Sequence, residues 1–183
     1  QQIIFQFTIN SLAMDSNIIN NVPQSAEITR LDETNIRQKQ AFDLVQHTNQ
    51  SFFLTGRAGT GKTTVARLIG KIYGKAGLIK NSDVFVEIRR ESLVAGYMGQ
   101  TGNKVMREVE KASGGVMFID EAYTLNKEGK DFGQEAIDTI LKAMEDHRDN
   151  LIVIVAGYSN LMDDFIESNP GLKSRFTSYI HFP

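Results

Sequence analysis

Apolar positions along the chain fall into two alternating kinds of segment, short unbroken runs and stripes at helical spacing. The runs SFFLT (51–55), GVMFID (115–120) and LIVIVA (151–156), with shorter ones at 84–89 and 179–182, predict five strands. Between them, residues 63–73, 104–112, 134–147 and 161–167 repeat apolar side chains every three to four positions and predict helices. The stripe in 63–73 is Val65, Ala66, Leu68, Ile69 and Ile72; in 134–147 it is Ile137, Ile140, Leu141 and Met144. A further helix is expected at 34–47, where Ile36, Ala41, Phe42, Leu44 and Val45 share one broad face.

The central strands are apolar throughout rather than on alternate positions. Such strands are buried on both faces, as in a parallel sheet covered by helices. The expected fold is therefore a three-layer α/β domain of parallel sheet and helices, with residues 31–183 as its core. Residues 1–30 are rich in Asn, Gln and Ser without a sustained period, and are expected to be loosely ordered.

Composition narrows the chemistry. A length of 183 residues suits one hydrophobic core. A net charge of −2 gives no global basic field, which argues against nucleic acid and anionic membranes as partners. The absence of cysteine excludes disulfides, thiolate metal ligands and a cysteine nucleophile, and three scattered histidines argue against zinc. No apolar run reaches the ~18 to 20 residues that span a bilayer. Residues 1–12 lack the basic segment of a signal peptide, so the cytoplasm is the expected location; the chain opens on Gln1, and Met14 offers a plausible start.

The strongest chemical signal is Gly56-Arg57-Ala58-Gly59-Thr60-Gly61-Lys62-Thr63, followed by Thr64: a complete G-x-x-x-x-G-K-T between a predicted strand and a predicted helix. Glycines let such a loop curl its backbone N–H groups inward around phosphate oxygens, and the following helix adds the partial positive charge of its N-terminus. Lys62 is expected to reach the β- and γ-phosphates of ATP, and the Thr63 hydroxyl to ligate Mg²⁺. The second signal is the run Val116 to Ile119 ending in Asp120 and Glu121, which sets two carboxylates at the C-terminal edge of a buried strand. Asp120 is expected to hold the metal and Glu121 to act as general base toward water. Arg175, in SNPGLKSRF just before the last strand, is a candidate arginine finger for a neighbouring subunit. Tyr97 and Met98, flanked by Gly96 and Gly99, suggest an exposed loop, with a tyrosine buried beneath the loop as the alternative.

With these residues in place, 59–183 resembles the AAA+ family, and within it the group containing the red-type Rubisco activase CbbX and the stage V sporulation protein K. The stretches that carry the likeness are GTGKTTVARLIGKIYG, ESLVAGYMGQTGNKV, GGVMFIDEAYTL, DFGQEAIDTILKAMEDHRDNLIVIVAGY and SNPGLKSRF. The resemblance implies a P-loop ATPase that assembles as a ring, usually a hexamer, with ATP at the subunit interface. It implies Asp120 and Glu121 as the Walker B pair, Arg175 as the finger, and Tyr97 with Met98 as the pore loop that grips a protein client, Rubisco being one such client. A sensor residue after the fourth strand would be Tyr158 or Asn160. A helical lid follows the last strand in this family, and by the resemblance it is expected to be missing from residues 1–183.

Upstream, LDETNIRQKQAFDLVQHTNQSFFLTGRAGTGKTT is similar to the N-terminus of a Pif1-like superfamily 1 helicase. Gln38, in the Q-K-Q-A of 38–41, would there read the adenine edge. The two likenesses meet in the phosphate loop, as in a chimera joined at GTGKTT. Three functions follow: a client-remodelling motor, a helicase fragment, or a nucleotide-binding module with little turnover.

Overall fold

A computed structural model describes residues 51–75, 77–97, 99–126 and 132–182, within the compact unit Asn49–Pro183. The helix expected at 34–47, the loose order expected at 1–30, Gln38 and Met98 all fall outside the described residues.

Five strands form one parallel sheet: β1 (Phe52–Thr55), β2 (Phe85–Ile88), β3 (Val116–Ile119), β4 (Ile152–Gly157) and β5 (Ser178–His181). Their order across the sheet is β2-β3-β4-β1-β5, with every neighbouring pair parallel. β4 therefore separates β1 from β3. Helix α1 (Lys62–Lys75) follows β1; α2 (Arg90–Leu93) and α3 (Thr101–Ala112) follow β2. A 3₁₀ turn (Ala122–Leu125) and α4 (Gly133–Asp146) follow β3, and α5 (Ser159–Glu167) and α6 (Pro170–Arg175) follow β4.

Period-two alternation divides the strand side chains between two cores. Phe53, Ile88, Met117, Ile119, Val153 and Val155 join a cluster with Leu93, Val105, Val109, Ile137, Ile140, Phe165 and Phe176, so α2 to α6 cover that face. The intervening residues turn to α1. Phe52 packs on Tyr73 with ring centroids 5.9 Å apart, and Arg67 lies 4.1 Å over the Phe85 ring, which itself stacks on Phe118. The three-layer α/β architecture expected from the apolar runs is the one observed.

Three elements gave no periodic signal because each is only one turn or so long: α2, the 3₁₀ turn and α6. The start of α6 was nonetheless written in the sequence. Asn169 caps it by accepting from the Gly171 N–H at 2.7 Å, and Pro170 stands at the first helical position, where its missing N–H costs nothing.

Phe118 is fully buried between the α1 layer and the sheet. Phe118→Ala is expected to lower unfolding stability by about 3–5 kcal/mol, read from a shift in the denaturant midpoint at unchanged slope.

Candidate functional site

The loop after β1 is built for close approach to its surroundings. Gly56, at φ 148°, abuts the last strand so tightly that a Cβ would lie 2.5 Å from the Phe182 carbonyl oxygen. Gly59 and Gly61, at φ 78° and 83°, have open space around their missing side chains. Backbone conformation, rather than crowding, is what asks for glycine there. The Gly56 N–H donates to the Gly157 carbonyl at 3.1 Å, tying the loop to the end of β4, and the Val65 N–H donates to Gly61 as α1 begins. The Thr60 hydroxyl closes the bend by donating to the Arg57 carbonyl at 2.8 Å.

Lys62, the first residue of α1, turns its ammonium back across the loop, donating to the carbonyls of Gly56 at 2.9 Å and Arg57 at 2.7 Å. Partial burial holds its pKa below the ordinary lysine value, opposed by the negative charges of Asp120 and Glu121. The structure thus brings together the lysine and the two acids that the sequence had set 58 and 59 positions apart. Two strand spacings, about 9–10 Å, separate the axes of β1 and β3, and the end of β4 lies between them.

Asp120 continues the sheet, its N–H donating to the Ile88 carbonyl at 2.9 Å. Glu121 leaves it sharply, at φ 52° and ψ 44°, the one non-glycine residue with positive φ among those described. A left-handed carboxylate residue costs roughly 1–3 kcal/mol and persists where its surroundings hold it. Here Thr124 donates to the Glu121 carbonyl from both its N–H (2.9 Å) and its hydroxyl (2.7 Å), and the Glu121 N–H donates to Asp120 Oδ1 at 3.1 Å.

The Glu121 side chain has a neighbour that motif reading passed over. This is Tyr123: burial first, then the nearby Glu121 charge, pushes its phenol above the ordinary tyrosine pKa. The hydroxyl is therefore a donor at any pH near neutrality. The Tyr123 ring also stands 6.3 Å from that of Tyr158, at the end of β4. Both candidates for the sensor position are exposed; the Tyr158 ring faces that of Tyr123, and Asn160 lies on α5. A second missed cluster is polar: Thr55 Oγ1 lies 2.9 Å and Ser159 Oγ 3.2 Å from His181 Nδ1, joining the ends of β1 and β5 to the start of α5. No sequence pattern links these three, since only the strand order makes them adjacent.

Arg175 lies elsewhere. It ends α6, shortly before Ser178, and Ser178 pairs with Phe52 at the beginning of β1, whereas the loop follows Thr55 at its end. The guanidinium makes a 3.6 Å ion pair with Glu145 of α4, and its Nε is buried with no hydrogen-bond partner among the described residues. Tyr97 is 75% exposed, so it projects to solvent and is not buried beneath its loop. It borders a shallow groove with Gly96, Gln100, Asn103 and Arg107.

No cluster of three or more metal-binding side chains occurs among the described residues. The donors present, one hydroxyl and adjacent carboxylates, suit Mg²⁺, which keeps several waters and shares substrate phosphates instead of demanding a full protein cage. No helix among the described residues is long and apolar enough to cross a membrane.

A buried strand feeding a glycine loop of this geometry into a helix defines the P-loop class of nucleotide-binding domains. Residues 52–183 match the ATPase family associated with various cellular activities (AAA), and the chain belongs to that family. It is 50% identical over 129 residues to the stage V sporulation protein K of Bacillus subtilis (strain 168), covering 70% of this chain and 40% of that protein. It is 47% identical over 131 residues to protein CfxQ of Xanthobacter flavus, covering 70% and 41%. With the ESX-3 secretion system protein EccA3 of Mycolicibacterium smegmatis it shares 46% identity over 149 residues, 80% of this chain and 24% of that one. The EccA3 match is longer than the stretch 52–183, so it takes in residues upstream of β1. The chain spans about two fifths or less of the length of these relatives.

Two solved structures share the fold at 19% identity. The FIGL-1 AAA domain in complex with ADP has a TM-score of 0.53 over 92% of this chain and 62% of that one. The P-loop NTPase domain of the sigma-54 transport activator from E. coli has a TM-score of 0.52 over 80% and 99%.

Lys62→Ala is expected to weaken nucleotide binding roughly 10- to 100-fold, on the scale of a lost charge-assisted hydrogen bond of about 1.5–3 kcal/mol. Titration calorimetry with ATP measures it, and an unchanged affinity would remove Lys62 from the site.

Proposed function

We propose that this domain binds ATP with Mg²⁺ at the loop 56–64 and hydrolyses it to drive remodelling of a protein client. The observation that carries the reading is the Lys62 ammonium, seated on the carbonyls of Gly56 and Arg57 and within the field of Asp120 and Glu121. In this reading the N–H groups of the loop from Gly56 to Thr64, passing Arg57, Ala58, Gly59, Thr60 and Gly61, cradle the phosphates, and Lys62 exchanges its carbonyl partners for phosphate oxygens. Thr63 and Asp120 hold the metal, which supplies charge neutralisation on the β- and γ-phosphates. Glu121 takes a proton from water as the water oxygen bonds to the γ-phosphorus and the bridging oxygen leaves with ADP.

Arg175 acts on the site of a neighbouring copy. Its place at the opposite end of β1 and β5 from the phosphate loop keeps it from its own nucleotide, and its half-satisfied guanidinium has hydrogen-bonding capacity to give. That arrangement calls for a ring, with six subunits as the AAA+ likeness suggests, working in the cytoplasm. Tyr97, together with Met98, is the grip on the client. Exposure of a large aromatic ring on a short loop supports this use, because such a ring gives contact area without a fixed partner. The likeness to CbbX makes Rubisco a candidate client.

Turnover per subunit is expected to rise with protein concentration. Arg175→Ala should lower it about 10³-fold or more, the scale of a lost arginine finger, while leaving the affinity of dilute protein for ATP intact. A rate per subunit independent of concentration and of Arg175 would refute the shared site.

A further inference from the structure

Arg90, the first residue of α2, follows β2 and reaches across to the turn that carries Glu121. Its Nη1 donates to the Thr124 carbonyl at 2.6 Å, a short charge-assisted bond. Thr124 is the residue whose N–H and hydroxyl both hold the Glu121 carbonyl. The path of the guanidinium is reserved by Gly133 at the start of α4. A Cβ there would collide with the Leu125 carbonyl and come within 3.3 Å of Arg90 Nη1.

The same residue belongs to the base of the Tyr97 loop. The Arg90 carbonyl accepts from the Val94 N–H at 2.9 Å, and Lys104 donates to the carbonyls of Glu91 at 2.7 Å and Val94 at 2.9 Å. The buried Thr101 hydroxyl accepts from the Ala95 N–H at 3.1 Å. These bonds tie α2, the start of α3 and residues 94–95 into one block, two residues short of Tyr97. Arg90 is the side chain that crosses from this block to the turn after β3.

We propose that Arg90 is a positioning residue: through Thr124 it holds the left-handed backbone of Glu121, and it makes that geometry depend on where the Tyr97 loop stands. A left-handed non-glycine residue is kept in place by its surroundings, so a change in the Thr124 carbonyl's partner is felt at Glu121 first. A planar guanidinium can hold several acceptors in a fixed orientation, which a lysine cannot. The proposal rests on the nucleotide site described above, and its test separates the two.

The chain has no tryptophan, so Tyr97→Trp places a single tryptophan on the loop, whose emission can be excited apart from that of the tyrosines. In that background, ATPγS binding is measured by calorimetry and loop emission is followed in parallel. The expected result is an emission change on saturation that Arg90→Gln abolishes while the Kd stays within about twofold, as for a residue acting through position instead of ligand contact. With ATP, Arg90→Gln should lower kcat roughly 10- to 100-fold at unchanged KM, the effect of displacing a catalytic group by about 1 Å. If Arg90→Gln does not fold, Arg90→Lys, which keeps the charge without the fork, carries the same reading and should lose part of both signals. Absence of ATPγS binding to the parent overturns the nucleotide site itself. Binding with a parental emission change in the Arg90 variants, or with none in the parent, leaves that site standing and overturns the role of Arg90.

Discussion

Parallel hydrogen bonding obliges every strand of this sheet to deliver its last residue to the same edge. With β4 lying between β1 and β3, that edge receives the glycine loop, the Tyr158 corner and the two acids in a fixed sequence. The phosphate loop and the carboxylates leave that edge from strands two places apart, because β4 stands between them. They are set at the separation that a phosphate chain and a hydrated cation can fill. The fully buried, apolar central strands are what make this spacing rigid, since none has room to slide without exposing side chains on both faces.

Much of this was legible in the residues. Unbroken runs such as LIVIVA announce strands covered on both sides, and the G-x-x-x-x-G-K-T pattern states its own flanking elements. The strand bounds shifted by a residue or so because burial, which the runs report, extends past the ladder hydrogen bonds that define a strand. What could not be read was anything created by strand order. Thr55, Ser159 and His181 are far apart in sequence and meet only because β5 lies beside β1 and β4 on its other side.

Tyr123 and Arg90 were missed for another reason. Both sit in elements of a single turn, where periodicity has no length over which to show itself, and neither residue type announces a role in isolation. Tyr123 was visible as the aromatic two positions beyond Glu121, and the left-handed backbone of Glu121 turns the chain between them, leaving the phenol in the field of the carboxylate. A short acidic motif in sequence is thus a small folded object, with its own internal hydrogen bonds.

The lysine's hold on the carbonyls of Gly56 and Arg57 has a consequence for selectivity. An anion arriving at the loop competes with two bonds that the loop already makes to itself. Inorganic phosphate or sulfate, able to do little more than replace them, gains small net advantage. In the proposed reading a longer polyphosphate would engage the amide-lined bend as well, and the loop would then sort anions by chain length before any base is sensed.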